Sequence, residues 1–139
     1  MTQPTVIPTI SARAAYDRLV SSPAESAQAG GGGARGSTAG SAALLVDVRE
    51  PFEFAQTRAE GAALLPISTF MLRHAELPKD RAILVICQSG ARSQQVTAFL
   101  LANGWPDVMN VVGGTLAWAA AGLPVRHGPP QPGEGDLPG

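Results

Sequence analysis

Cys87 is the only cysteine of the 139-residue chain, and it lies at the junction of two contrasting segments. An apolar run, Ile83-Leu84-Val85-Ile86, precedes it, and the polar residues 88–92 follow it. A thiol in such a place becomes a nucleophilic thiolate when nearby groups lower its pKa. A lone cysteine after an apolar strand is more often a small buried hydrophobic residue. The segments around Cys87 therefore decide between these two interpretations.

The segments on either side of the loop favour a reactive thiol. The apolar run predicts a strand buried on both faces of a parallel sheet, and residues 93–103 have apolar side chains at helical spacing before the helix-ending pair Asn103-Gly104. The loop thus leads into a helix N-terminus, where free N–H groups favour an anion. Gly90 can adopt the positive φ that a ring of inward N–H groups requires, and Arg92 supplies positive charge. Together these features predict a thiolate at Cys87.

The elements that position this loop are predicted to alternate between strand and helix. Such alternation predicts an α/β fold with a parallel sheet covered on both faces. The predicted strands are Thr9-Ile10, Leu44 to Val48, Ala63 to Ile67, Ile83 to Ile86 and Val108 to Val111. The predicted helices are Ala12 to Val20, Pro51 to Gln56, Thr69 to Glu76, Ser93 to Asn103 and Leu116 to Ala121.

Length and composition predict one domain, residues 1–127, because 139 residues with 45% apolar content can build one core. Two segments are expected to lie outside that core. Residues 21–41 are rich in Gly, Ala and Ser and are predicted to form a flexible insert. Residues 128–139 are rich in Pro and Gly and are predicted to form a disordered tail.

Charge and hydropathy exclude several classes of partner. The net charge is −1 and the ten basic residues form no run, which argues against nucleic acid. No segment approaches the ~18 apolar residues of a membrane span, and the first residues resemble no signal region. A single cysteine forms no internal disulfide and suits a reducing compartment. We therefore expect a soluble, cytoplasmic protein.

Four motifs in order resemble the rhodanese-like sulfurtransferases, over about Ile10 to Val125 with the insert as an interruption. They are Leu44 to Pro51 followed by Phe52-Glu53-Phe54, Gly61-Ala62, Cys87 to Ser93, and Asn110 to Gly114 with Trp118 and Gly122 to Val125. The resemblance implies a rhodanese-like fold with a five-stranded, mainly parallel sheet and helices on both faces. It also implies a sulfurtransferase that needs no metal and no organic cofactor.

One stretch departs from the family pattern. Family members commonly carry a Gly-His-hydrophobic stretch before the Gly-Ala pair, and this chain has Thr57-Arg58-Ala59 there. The histidine is regarded as structural in the family, so we expect activity to survive its absence. Arg58 itself is expected at the surface.

The expected mechanism is a double displacement through a covalent intermediate. The Cys87 thiolate attacks the outer sulfur of a donor such as thiosulfate, sulfite leaves, and a persulfide remains. An external acceptor, cyanide or a cellular thiol, removes that sulfur, because the chain has no second cysteine. The candidate catalytic residues are Cys87 and Arg92, and the candidate substrate-binding or persulfide-stabilising residues are Gln88, Ser89, Gly90, Ala91 and Ser93.

Other residues have two interpretations each. Asp47 could support the loop from Cys87 to Ser93, called the active loop below, by accepting its N–H groups, or it could be a turn residue. Arg49 could add to the positive field over Cys87, although a surface ion pair with Glu50 or Glu53 is favoured. Gly113-Gly114 is interpreted as a turn that requires close backbone approach. His74 and His127 lack metal-ligand spacing, so no metal site is predicted.

Three alternative functions remain open at this point. A sulfur-carrier module would use the same persulfide but exchange sulfur with a protein donor or acceptor. A phosphatase or arsenate reductase would belong to relatives whose Cys-to-Arg loop is one residue longer than the one from Cys87 to Arg92. A non-catalytic binding module would ordinarily have lost the cysteine.

Overall fold

The structure is a computed structural model that describes residues 6–21 and 42–138. Apart from Ser21, the predicted flexible insert lies outside the described residues. The strands are β1 (Thr9–Ile10), β2 (Leu44–Asp47), β3 (Thr57–Ala59), β4 (Ala63–Leu64), β5 (Ile83–Ile86), β6 (Val108–Val111) and β7 (Val125–His127). The α-helices are α1 (Ala12–Val20), α2 (Pro51–Gln56), α3 (Phe70–Arg73, between 3-10 turns Ile67–Thr69 and His74–Glu76), α4 (Ala91–Ala102) and α5 (Gly114–Ala120).

Five of the strands form the predicted parallel sheet, in the order β1-β6-β5-β2-β4. The central strand β5 pairs with β2 and with β6, with Val85 opposite Val46 on one side and Asn110 on the other. Because all these strands are parallel, their carboxyl ends meet at one edge of the sheet. Cys87 follows β5 directly and therefore lies at that edge.

Both faces of the sheet are covered, as the continuous apolar strand sequences require. Ile83 and Val85 of β5 pack into one cluster and Leu84 and Ile86 into the other. The first cluster includes Phe70, Val96, Leu100 and Trp105, and the second includes Ala15, Phe54, Val111 and Trp118. The fold is therefore the predicted α/β layer architecture.

Helix α4 begins at Ala91, two residues earlier than the predicted start at Ser93. Gly90, the residue before it, has φ of 111°, the left-handed conformation that glycine adopts without steric cost. The turn at Gly90 sends the chain straight from the loop into the helix. As a result Arg92 and Ser93 both belong to the first helical turn.

A second, two-stranded sheet was not predicted. Strands β3 and β7 pair in antiparallel fashion, with Arg58 opposite Arg126. The expectation that Arg58 lies at the surface is wrong, because Arg58 is only 1% exposed. Its guanidinium donates to the carbonyl oxygens of Phe54 and Gly128 at 3.0 and 2.7 Å and forms an ion pair with Glu134. Burial of this charge is compensated by these bonds.

The expectation of a disordered tail is also wrong for residues 128–138, which pack against the domain. Besides the Glu134 ion pair, the N–H of Leu64 donates to the Gly135 carbonyl oxygen at 2.7 Å, which extends the edge strand β4. Leu137 packs against the first core cluster. Four prolines and three glycines did not prevent packing, because a buried guanidinium and an open strand edge provide partners for the tail.

No helix in the described ranges is long and apolar enough to cross a membrane. Within the same two ranges, His, Cys, Asp and Glu side chains form no cluster that could hold a metal ion.

Candidate active site

The Cys87 sulfur lies inside a ring of hydrogen-bond donors from the loop and from the first turn of α4. The Gly90 N–H donates to Sγ at 3.1 Å and the Ser93 N–H at 3.4 Å. The Ser93 hydroxyl oxygen lies 3.2 Å from the same sulfur. Cys87 is 1% exposed, whereas Gln88 and Ser89 are exposed. The donors have the inward direction that the sequence predicts, a geometry that favours negative charge on the sulfur.

The inward direction of the amides depends on where the loop carbonyls point. The Cys87 carbonyl oxygen accepts bonds from the Thr115 N–H at 2.8 Å and from the Thr115 hydroxyl at 3.0 Å. The Gln88 carbonyl oxygen accepts from the Leu116 N–H at 3.1 Å. The first turn of α5 thus binds the carbonyl side of the loop and leaves the amide side to the sulfur.

Gly114 allows helix α5 to approach the loop this closely. Its φ is +59°, and a Cβ at this position would lie 2.5 Å from the Gln88 carbonyl oxygen and also too close to the Cys87 carbonyl oxygen. Such distances are well inside van der Waals contact. The interpretation of Gly113-Gly114 as a turn with close backbone approach is therefore confirmed, and the backbone approached is the active loop itself.

The environment of Cys87 lowers the pKa of its thiol. Burial is the largest single influence and acts in the opposite direction, since it disfavours the charged form. Hydrogen bonds from the Ser93 hydroxyl, and from the N–H groups of Ser93, Gly90 and Ser89, together outweigh burial. The thiolate is therefore stabilised by hydrogen bonds from the loop and from the first turn of α4.

Arg92 is already paired. It donates two parallel bonds to the Glu53 carboxylate, at 2.9 and 3.0 Å. The hydrogen bond to Glu53 raises the pKa of Arg92 against the effect of burial, and the charge of Cys87 contributes less. The same bond lowers the pKa of Glu53 to about 2. The sequence predicted the positive charge of Arg92 but missed Glu53, whose place in the acidic-aromatic motif was the available signal.

Asp47 and Arg49 form a buried ion pair with each other. Asp47 is fully buried and accepts the Arg49 backbone N–H at 2.9 Å, as a turn residue does. The Arg49 guanidinium bonds to the same carboxylate at 2.9 Å and to the Thr57 carbonyl oxygen at 2.6 Å. Arg49 is buried in this pair, so the predicted surface pair with Glu50 or Glu53 is wrong. The pair ties the end of β2 to the start of β3.

Two surface grooves border the loop. One, of about 240 Å³, is lined by Glu53, Gln88 and Leu116 among others. The other, of about 570 Å³, is lined by Ser89, Ala91 and other residues. Gln88, Ser89 and Ala91 thus contribute exposed walls, whereas Gly90 and Ser93 contribute donors to the sulfur. Both groups were predicted as one binding loop.

A family model described as the rhodanese-like domain matches residues 34–121. A sulfurtransferase from Allochromatium vinosum is 46% identical over 82 residues, which cover 59% of this chain and 77% of that protein. A thiosulfate sulfurtransferase GlpE from Actinobacillus succinogenes is 35% identical over 84 residues, covering 60% of this chain and 76% of that protein. The crystal structure of a rhodanese-related protein from Thermoplasma volcanium superposes with a TM-score of 0.62 at 25% identity, covering 86% of this chain and 97% of that one.

Proposed function

The chain belongs to the rhodanese-like sulfurtransferase family, and we propose that it transfers sulfane sulfur from a small anionic donor such as thiosulfate to a thiophilic acceptor through a persulfide on Cys87. The name of the GlpE relative supports thiosulfate as the donor. A reactive thiol remains usable in a reducing compartment, so we place the activity in the cytoplasm.

In the first half-reaction the Cys87 thiolate attacks the outer sulfur of thiosulfate. A new S–S bond forms to Sγ, the bond between the two thiosulfate sulfurs breaks, and sulfite leaves with the electron pair. The enzyme then carries Cys87–S–S⁻, whose charge lies on the terminal sulfur. The amides of the loop and the first turn of α4 hold that charge, and Arg92, which remains ion-paired, supplies a further positive field.

In the second half-reaction an acceptor attacks the terminal sulfur. Cyanide or a cellular thiolate forms the new bond, the S–S bond breaks, and the electron pair stays on Sγ. The products are thiocyanate or a new persulfide together with the Cys87 thiolate, so the enzyme returns to its starting state. The acceptor comes from outside, since Cys87 is the only cysteine.

One observation carries this proposal: three donors converge on the Cys87 sulfur at 3.1 to 3.4 Å, from Gly90 and Ser93. These donors stabilise the attacking thiolate. Only four residues separate Cys87 from Arg92, and we expect a loop this short to surround one further sulfur atom with its charge. A transferring phosphoryl group presents three equatorial oxygens and requires a wider ring, so the short loop favours sulfur transfer over phosphate hydrolysis.

The experiment is mass spectrometry of the intact protein after exposure to thiosulfate and removal of excess reagent. One added sulfur atom is expected, located on the peptide that contains Cys87 and lost again on addition of cyanide. The Cys87→Ser variant is the matched control, because an alcohol cannot carry persulfide sulfur, and it should retain the wild-type circular dichroism spectrum and Tm.

A wild-type protein that gains no sulfur from thiosulfate would contradict the proposed donor. Sulfur uptake from a purified persulfide-bearing protein but not from thiosulfate would favour the sulfur-carrier alternative. Hydrolysis of an aryl phosphate at a rate comparable to sulfur transfer would overturn the proposal in favour of phosphatase activity.

A further inference from the structure

The Ser93 hydroxyl faces two acceptors at once. Its oxygen lies 3.2 Å from Cys87 Sγ and 2.5 Å from the Asn110 side-chain oxygen Oδ1. Ser93 is fully buried, so both contacts lie in the interior of the protein. A serine hydroxyl carries a single proton and donates to one acceptor at a time. The sulfur and the Asn110 amide therefore compete for the same proton.

Asn110 lies on β6, the strand next to β5, and is 6% exposed. Its Nδ2 faces the Gly90 carbonyl oxygen at 3.4 Å. A flipped amide would instead bring two oxygens together at Gly90, so the contact with Gly90 fixes Oδ1 toward Ser93. The Asn110 backbone N–H is held by the Pro8 carbonyl oxygen at 2.9 Å. The amide is thus fixed between a loop carbonyl and the Ser93 hydroxyl, and neither half-reaction described above uses it.

The outcome of the competition depends on the charge of the sulfur. A neutral thiol or disulfide-type sulfur is a weak acceptor, and an amide oxygen binds the hydroxyl better. A thiolate is different, because hydrogen bonds to an ionised acceptor are about twice as strong as neutral ones. The hydroxyl should therefore turn to Sγ when negative charge is there and to Asn110 when it is not.

We propose that Asn110 is a positioning residue: its Oδ1 accepts the hydrogen bond of the Ser93 hydroxyl while Sγ is neutral, and the hydroxyl turns its hydrogen bond to Sγ as charge arrives there. The inference rests on the proposed function, in which charge moves from Sγ to the terminal sulfur in the persulfide. When the acceptor attacks and the S–S bond breaks, the electron pair returns to Sγ, and the Ser93 hydroxyl rotates from Asn110 to stabilise it. Asn110 then acts on the leaving sulfur through Ser93 without touching the substrate.

Other charged groups near the loop stay the same in this exchange. Arg92 and Glu53 form their own bidentate pair, and Arg49 and Asp47 form another. None of the four donates to or accepts from the Ser93 hydroxyl in the part of the chain that the structure describes. Changes at Asn110 should thus be read out through Ser93.

The test measures the apparent pKa of the Cys87 thiol from the pH dependence of its alkylation by iodoacetamide, an assay that requires no sulfur transfer. Ser93→Ala removes the donor and should raise the apparent pKa by about one unit. Asn110→Leu, of similar size, removes the competing acceptor and should lower it by about half a unit. In the double variant the Asn110→Leu effect should vanish, because no hydroxyl remains to be redirected.

Thr97→Val is the matched control. Thr97 is a fully buried residue one turn further along α4, and its hydroxyl donates to the Ser93 carbonyl oxygen at 2.8 Å instead of to the sulfur. Its removal should leave the apparent thiol pKa unchanged. A shift as large as that of Ser93→Ala would overturn the inference, since any lost helix hydroxyl would then have the same effect.

An Asn110→Leu variant whose thiol pKa is unchanged or raised would overturn the inference, as would a shift that persists without Ser93. If Asn110→Leu does not fold, Asn110→Asp replaces it. Its carboxylate holds the hydroxyl more tightly and should raise the thiol pKa more with Ser93 present than in a Ser93→Ala background. Equal rises in the two backgrounds would overturn the proposal.

A second measurement links the exchange to catalysis. Discharge of the persulfide by cyanide in a single turnover should speed up about threefold in Asn110→Leu, because the persulfide state loses its alternative partner for the hydroxyl. Discharge should slow in Ser93→Ala. Unchanged rates in both variants would overturn the link to sulfur transfer, whereas a wild-type protein that never forms the persulfide would contradict the proposed function and leave the alkylation result standing.

Discussion

The close approach of helix α5 to the active loop gives a sharp prediction for Gly114→Ala. The new methyl group would lie 2.5 Å from the Gln88 carbonyl oxygen. That neighbour is backbone, so it cannot move aside as a flexible side chain does. The helix and the loop must separate, which weakens the bonds from Thr115 and Leu116 to the loop carbonyls.

Two contributions set the size of the effect. A non-glycine residue in left-handed conformation costs roughly 1 to 2 kcal/mol, and Gly114 has φ of +59°. Each backbone bond lost between α5 and the loop costs about 0.5 to 1.5 kcal/mol more. The free energy of unfolding should fall by roughly 2 to 5 kcal/mol in total, which corresponds to a fall in Tm of roughly 8 to 20 °C for a domain of this size.

Gly122→Ala is the matched control for the conformational part. Gly122 also has positive φ, +77°, but nothing lies within 4 Å of an added Cβ. This variant should lose only about 1 to 2 kcal/mol, and the reduced entropy of the unfolded chain affects both variants equally. The difference between the two variants, measured by urea unfolding, isolates the contact with the loop.

Sulfur transfer from thiosulfate to cyanide completes the assay. Gly114→Ala should lose at least about tenfold in kcat/KM, since moving the loop amides away from the sulfur removes a stabilisation worth about 1.4 kcal/mol or more. Gly122→Ala should keep the wild-type value. Equal stability losses in the two variants, or a wild-type rate in Gly114→Ala, would refute the argument that α5 holds the loop in shape.

Three further predictions concern the ion pairs. Arg92→Ala should lower kcat/KM for thiosulfate about ten- to a hundredfold. Glu53→Gln keeps the charge of Arg92 and should lower kcat/KM less. An unchanged value in Arg92→Ala would mean that the loop amides stabilise the reacting sulfur without Arg92. Because the hydrogen bond from Arg92 lowers the pKa of Glu53 from 4.5 to about 2, this carboxylate stabilises the fold fully above its ordinary pKa and progressively less as pH falls toward 2. Wild-type protein should therefore lose more stability than Glu53→Gln between about pH 5 and pH 2 in urea titrations. Glu134→Gln should lower the free energy of unfolding by about 2 to 3 kcal/mol, because it leaves Arg58 buried without its carboxylate. The double variant Arg58→Met/Glu134→Gln should lose less stability in the same urea titrations. A larger loss in the double variant would contradict this.

Local sequence predicted most of the strands and helices, although the strand predicted over Ala63 to Ile67 covers only Ala63–Leu64 and Ile67 begins a 3-10 turn. The apolar run before Cys87 predicted a buried central strand because only a strand covered on both faces has no polar alternation. The helix after it and the positive φ of Gly90 followed from spacing and residue type alone. These features place Cys87, the proposed nucleophile, at the edge of the sheet, so the loop and its two flanking segments were enough to select it as the candidate.

The larger errors concern partners distant in sequence. Arg58 looks like an ordinary exposed arginine until Glu134, 76 residues later, is placed beside it. Asn110 was recognised only as part of a motif, since its contact with Ser93 joins two different elements. Composition predicted a disordered tail because proline and glycine are poor formers of regular structure, yet the tail needs only a few specific bonds to pack. Such pairings arise from tertiary packing, which local periodicity does not encode.

The bonds from Arg58 to Gly128 and Glu134 affect how this domain can be joined to other proteins. The match to the family model ends at residue 121, whereas the bonds that neutralise Arg58 come from Gly128 and Glu134. A gene fusion that replaced the chain after residue 121 would remove these partners and leave the Arg58 guanidinium buried without its carboxylate. A fusion of this domain to another protein should therefore include residues 128–138 or replace Arg58.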